Sequence, residues 1–306
     1  MKPRQHGIAL ITALLVLAIA VVLAASLAHE GALALRRSEN LLHHTQAMAY
    51  LQGAEDWARR ILARDAREVD HLGEAWATPL PPIPVEGGEI TGRLIDLQGR
   101  LNLNALLAHD NQLAPRHAQR LACVLRQAGI EQPEAALEAL ADWQDEDSVV
   151  RPLGAEDGGY ANLPHPYRTA NQPLLAASEL ALIQGFSTEA VARLTTLTAA
   201  LPKSATLNLN TAPPEVLVCL SEGLTPEDWR AFIETRAKTP LKKVDELLAH
   251  PPFQGRLDPT GLGVTSQVFL LEANARIGRT VARRYSVFLR ETDGIVRVQS
   301  RFQESP

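Results

Sequence analysis

Apolar positions are distributed unevenly along the chain, and their spacing changes three times. From Ile8 to Ala28 no residue is charged, and an apolar helix of about twenty residues spans a bilayer. The following segment, NLLHHTQAMAYLQGAEDWARRILARD, keeps a helical period. Leu41, Met48, Leu51, Ala54, Ala58 and Ile61 form one stripe, and Glu55, Asp56, Arg59, Arg60 and Arg64 fall mostly off it. One helix from Ile8 to about Ala63 would be roughly 80 Å long. TPLPPIPVEGG then ends helical structure, because its prolines and glycines cannot continue it.

Period-two patterning appears next, in EITGRLIDLQGRLNLN, and returns near the C-terminus in SQVFLLEANARIG and RRYSVFLRETDGIVRVQSRFQ. In the last of these, Asp293-Gly294 marks a hairpin. Between these strands, from about Asn102 to Gly263, the pattern is helical. HAQRLACVLRQAG, PEAALEALADWQD, AASELALIQGF, STEAVARLTTLTAAL, PPEVLVCL and PEDWRAFIETRAK are short segments, several opening on Pro, Ser or Thr. An internal echo, RLNLNALL and TLNLNTAPPEVL, places Leu-Asn-Leu-Asn ahead of helices. Asparagine suits turns and caps, so Asn104 and Asn210 are expected to start helices rather than perform chemistry.

A net charge of −5 argues against a nucleic-acid binder. Two cysteines, Cys123 and Cys219, are too few for a disulfide scaffold or a zinc site. They could pair in an oxidising compartment or remain buried thiols. His43 and His44 are adjacent on the long helix and do not share a face. The chain carries no GxSxG, HExxH, Walker A or strand-to-helix GxGxxG motif, so an enzyme is not expected.

The first residues admit three readings. A secretory signal could end at Ser26-Leu27-Ala28, but its apolar core would be unusually long. A plain signal anchor, with Lys2 and Arg4 held in the cytoplasm, explains the length but not the glycine. Cleavage between Gly7 and Ile8 explains both, and it leaves the apolar helix on the mature protein with a free amine. That arrangement resembles the prepilin-type leader of type IV pilins and type II secretion pseudopilins. Thr12 occupies the fifth mature position, where such proteins usually carry a glutamate thought to meet the terminal amine of a neighbouring subunit. A carboxylate in hydrocarbon is costly unless paired, so Thr12 suits a subunit at a filament end.

Taken together, the leader, Thr12, DLQGRLNLNALL, ALADWQDEDSVVRPLGAEDGGY, PYRTANQPLLAASELALIQGF and TLNLNTAPPEVL resemble the K-type minor pseudopilins of type II secretion systems, the general secretion pathway protein K family. The resemblance covers essentially the whole chain. It implies an α+β pseudopilin fold, with a long N-terminal α-helix packed on an antiparallel β-sheet and a large all-α domain inserted between strands. The implied divisions are a leader at 1–7, a transmembrane half-helix at 8–28, helix and first strands at 29–101, the inserted domain at 102–263 and final strands at 264–306. It further implies a single-pass inner-membrane protein with its bulk in the periplasm. Its implied role is to cap the pseudopilus tip, processed by prepilin peptidase and associated with I-type and J-type minor pseudopilins.

WQDEDSVVRPLGAEDGGY gathers Asp145, Glu146, Asp147, Glu156 and Asp157 on a loop with three glycines. Clustered carboxylates on a flexible loop can wrap a hard cation, or simply form a solvated acidic loop. An EF-hand is excluded, because Val149 and Val150 stand where a ligand and a glycine are needed. The family resemblance implies calcium, with Asp145, Asp147, Glu156 and Asp157 as the expected ligands.

A rival reading comes from residues 207–248, which resemble a helix-hairpin-helix unit. A membrane-anchored DNA receptor is therefore the alternative. Its hairpin, SEGLTPED, carries Glu222, Glu227 and Asp228, which would repel phosphate, so protein contacts are favoured.

Overall fold

The computed structural model describes residues 6–108, 111–291 and 293–303; most of the expected leader lies outside them. Helix α1 runs from His6 to Arg64. It is the one described helix long and apolar enough to cross a membrane, and its apolar window is not buried against the rest of the molecule. The second half packs on a sheet through Ala47, Leu51, Ala58 and Leu62, all wholly buried, at the three-to-four-residue spacing of one helix face.

The sheet has five strands, β1 (Leu80–Val85), β2 (Gly88–Asp96), β3 (Val268–Ile277), β4 (Thr280–Arg290) and β5 (Val296–Phe302). They lie in chain order and every pairing is antiparallel. Phe269, Leu271, Ala273, Ala275 and Phe288 face α1, and Trp76 meets Phe269 edge-on at 5.1 Å. The expected α+β architecture is thus present. β1 lies in the segment whose prolines and glycines predict only a break. It is an edge strand, where an N–H missing on the outer side costs no ladder bond. Gly294, between β4 and β5, has φ +90°, a conformation that suits glycine.

Asp96, the last residue of β2, sits opposite Phe269 near the start of β3. The chain therefore leaves the sheet and returns to it at neighbouring positions, and residues 97–267 form a helical insertion. Its helices α2 (Pro115–Gln127), α3 (Pro133–Gln144), α4 (Thr188–Leu197) and α5 (Pro226–Lys238) start at proline or behind a cap. Ser187 Oγ accepts from Ala190 N at 3.2 Å. Thr225 and Asp228 cap each other's backbone in a reciprocal box. Ala177–Leu182, expected as a helix, is a 3-10 turn. Two apolar cores fill the insertion. One is centred on Leu121, Leu125, Leu140 and Leu194, the other on Leu209, Leu217, Trp229 and Leu247.

The Leu-Asn echo is repeated in structure. Asn102 Oδ1 accepts from Asn104 N at 3.0 Å, and Asn208 Oδ1 from Asn210 N at 2.9 Å. The second asparagine of each pair grips a distant backbone through both ends of its amide. Asn104 holds Leu174, and Asn210 holds Leu241. Each echo also lies in a two-residue parallel pairing, Leu101–Asn102 with Thr198–Ala199 and Leu207–Asn208 with Leu262–Gly263. Cys123 of α2 and Cys219 of the second half form a disulfide, with Cα atoms 5.5 Å apart, so the two halves are covalently joined.

A buried polar knot fixes the insertion to the sheet. Asp96 Oδ2 accepts from Asn208 Nδ2 (3.0 Å), Thr211 Oγ1 (2.6 Å) and Ser266 Oγ (2.6 Å). Beside it, Arg290 bridges Asp65 and Asp70 and donates to the Ser266 carbonyl.

Candidate functional site

The acidic loop begins where α3 ends. Asp145 is the C-cap of α3, and Glu156 precedes the short helix Asp157–Tyr160. The loop between them folds back, so that one oxygen each of Asp145, Asp147 and Glu156 lies within 4.8 Å of the others. Arg151 closes one side. Its guanidinium pairs with Asp145 and with the wholly buried Asp142, the latter at 2.5 Å, and donates to the Asn111 carbonyl at 2.8 Å. Asp142 is pressed against Gly154, where any side chain would collide with its Oδ2. A side chain there would displace the Asp142 carboxylate from Arg151.

One arginine does not saturate these carboxylates. Asp145 Oδ1 and Glu156 Oε1 are buried and accept no hydrogen bond. Buried acceptors without partners are costly, and the donor set of Asp145, Asp147 and Glu156 would suit a hard cation. Burial pushes the Asp145 and Glu156 carboxyls up, against the pull of Arg151 on Asp145 and of Thr169 on Glu156. A cation would reverse that tendency. Asp147 is exposed and caps Val149 N at 2.9 Å. Asp157 stands apart from the trio. Its Oδ1 accepts from Thr169 N and Oγ1, each at 3.0 Å, and its other oxygen faces Arg168 at 3.9 Å.

Along α1, Thr12 satisfies itself: its hydroxyl donates to the Ala9 carbonyl at 3.0 Å. Gly7 and Ile8 belong to the first turn of the helix. Lower down, the apolar stripe divides between two surroundings. Leu51 is wholly buried against the chain's own sheet, while Leu41, Leu42 and Leu35 remain more than three-fifths exposed. Glu55, expected off the stripe, lies in its centre and is wholly buried. Its charge is met by Arg301, Arg284 and Ser286, donors from distant strands that helical periodicity does not reveal.

In the helix-hairpin-helix segment, the turn before α5 is tied to itself, with Ser221 Oγ accepting from Gly223 N at 3.3 Å. Its acids stay at the surface, Glu227 faces Arg230 at 3.9 Å, and Arg256 donates to the Gly223 carbonyl at 3.5 Å. Arg236 is turned inward, onto the Leu209 and Ala212 carbonyls.

Two family models, both described as type II secretion system (T2SS), protein K, match residues 99–203 and 207–265. Type II secretion system protein K of Pseudomonas aeruginosa is 33% identical, over 98% of this chain and 93% of that protein. The protein K of Aeromonas hydrophila is 34% identical, over 95% and 94%. Among solved structures, a chain of the GspK-GspI-GspJ complex from the type 2 secretion system of enterotoxigenic Escherichia coli superposes with a TM-score of 0.78. It is 26% identical, covering 88% of this chain and 100% of that one.

Proposed function

This chain belongs to the type II secretion system protein K family, and from that premise we propose that it caps the tip of a periplasmic pseudopilus and so supports the export of folded proteins. As a family member it is a minor pseudopilin, a structural part of the secretion machinery with one apolar helix fit to anchor it in a membrane. The finer reading rests on Thr12. Where a filament subunit presents a carboxylate to the amine of the next, Thr12 spends its hydroxyl on its own helix and leaves no charge to be neutralised in lipid. The insertion of residues 97–267 adds bulk that would hinder stacking of another subunit.

In this reading prepilin peptidase cuts between Gly7 and Ile8, and the protein stays in the inner membrane with its bulk in the periplasm. The Cys123–Cys219 bridge suits that oxidising compartment. The I-type and J-type minor pseudopilins are its partners, a reading supported by the GspK-GspI-GspJ complex in which its solved relative sits. On α1, exposed Leu35, Leu41 and Leu42 are free to meet them. Asp145, Asp147 and Glu156 hold calcium, with the unpartnered oxygens of Asp145 and Glu156 as its inner ligands. The ion would screen the crowded carboxylates and tie the end of α3 to the loop.

Mass spectrometry of the membrane-extracted protein tests the leader directly. A mature chain beginning at Ile8 is expected, and Gly7→Val should leave the leader in place. A mature chain beginning at His29 would contradict the reading.

A further inference from the structure

A cavity of about 460 Å³ opens at the seam between the two halves of the insertion, a size that holds a small organic molecule. Its walls include Leu101, Leu201 and Leu207, and its charged side chains are all basic: Arg100, Arg116, Arg120 and Lys203. Only Arg116 has an acidic partner, Asp258. Among the described residues no carboxylate lies within ion-pair distance of Arg100, Arg120 or Lys203. Arg120 is 7% exposed and donates only to the Thr260 and Asp258 carbonyls, at 2.9 and 3.0 Å. Arg100 donates to the Thr195 carbonyl at 2.6 Å. The acids nearest Arg100 are already engaged: Glu272 pairs with Arg93 at 2.6 Å, and Asp96 sits in the polar knot.

Buried cations normally carry a counter-charge, and here the backbone alone provides compensation. The start of α2 adds to the excess. Its N-cap, Ala114, offers no side-chain acceptor, and its first turn holds no acid; the charged side chain there is Arg116, since burial keeps His117 neutral. That is the reverse of the usual preference at a helix N-terminus, whose free N–H groups attract anions.

We infer that this cavity binds an organic carboxylate, the acid group at Arg120, Lys203 and the start of α2, and the apolar body against Leu101 and Leu201. The guanidinium fork suits a carboxylate, and the leucine walls favour a ligand with an apolar part over a bare inorganic anion. Such a carboxylate could be carried by the C-terminal residue of a polypeptide or by a free small acid.

The full chain in detergent can be titrated calorimetrically with N-acetyl-leucine, its neutral amide N-acetyl-leucinamide, 4-methylpentanoate and inorganic phosphate. Both acids should bind, with the amide weaker by about tenfold or more, as loss of a charge-assisted pair implies. Equal affinity for the two acids would identify a small free acid as the source, and a preference for N-acetyl-leucine would identify a chain end. Arg120→Met could perturb folding, because Arg120 holds two carbonyls. The exposed Lys203 avoids that problem, and Lys203→Glu should weaken both acids by about tenfold. Absence of acid binding at millimolar concentration, equal binding of the amide, preferential binding of phosphate, or indifference to Lys203→Glu would each overturn the assignment.

Discussion

Glu55 of α1 and Arg301 of β5 form a two-pronged ion pair, Nε to Oε1 and Nη2 to Oε2 both at 2.9 Å. The carboxylate is wholly buried and the guanidinium half exposed. Burial alone would raise the Glu55 carboxyl, but the bonds from Arg301 and Ser286 bring it below the usual range. The pair joins the long helix to the last strand, fixing the rotation of α1 on the sheet and hence which leucines remain outside.

Breaking a buried pair from one side leaves an uncompensated group. Glu55→Ala should therefore destabilise the protein by about 1–3 kcal/mol, because Arg284 loses its buried charge partner while the half-exposed Arg301 can turn to solvent. Arg301→Ala should cost less, because Arg284 remains 3.5 Å from the carboxylate. Urea unfolding of the two variants checks the order.

The Cys123–Cys219 bridge closes a separation of 96 residues. Replacing both cysteines with alanine should lower stability by about 2–5 kcal/mol. Reduction should have the same effect on the natural chain and none on the double variant. Differential scanning calorimetry with and without reductant distinguishes these outcomes.

Much of this architecture is legible in the sequence, because local patterns decide it. The uncharged run, the helical period through Ala58, the period-two strands and the Asp-Gly turn each act over a few residues. What escapes is set by distant partners. The prolines of β1 suit a strand only because nothing pairs beyond it. Glu55 is buried only because β4 and β5 bring it donors. Within the acidic loop, composition marks the carboxylates but cannot separate Asp157, engaged by Thr169 twelve residues on, from Asp145 and Glu156 with their unpartnered oxygens. Arg151 was the missed member of that site. Its place between two acids follows from the loop's return, which no spacing rule encodes.

Calcium should raise the unfolding temperature of the natural protein, by an amount that grows with concentration; at a hundredfold excess over Kd the gain is about 2.7 kcal/mol. Asp145→Asn and Glu156→Gln should each abolish most of that gain, whereas Asp157→Asn should retain it. Thermal scans with calcium and with a chelator measure the three cases. Equal loss in all three would put Asp157 among the ligands.

Burial depresses His117 to about 4, with the nearby Arg120 charge adding to the effect and the bond to the Asn102 carbonyl opposing it. A histidine held neutral in the folded state contributes stability above its ordinary value of 6.5, and that contribution is lost as pH falls towards 4. The natural protein should lose on the order of 1–3 kcal/mol across that window. His117→Gln, which cannot titrate, should lose less. Urea midpoints at pH 7.5 and 4.5 for both proteins make the comparison.

The position of the subunit in the assembled fibre tests the account most directly. Immunogold labelling of pseudopili that carry an epitope on this chain should place gold at one end of each fibre and nowhere along its length. Label repeated at regular intervals down the shaft would contradict the tip assignment and, with it, the meaning given to Thr12.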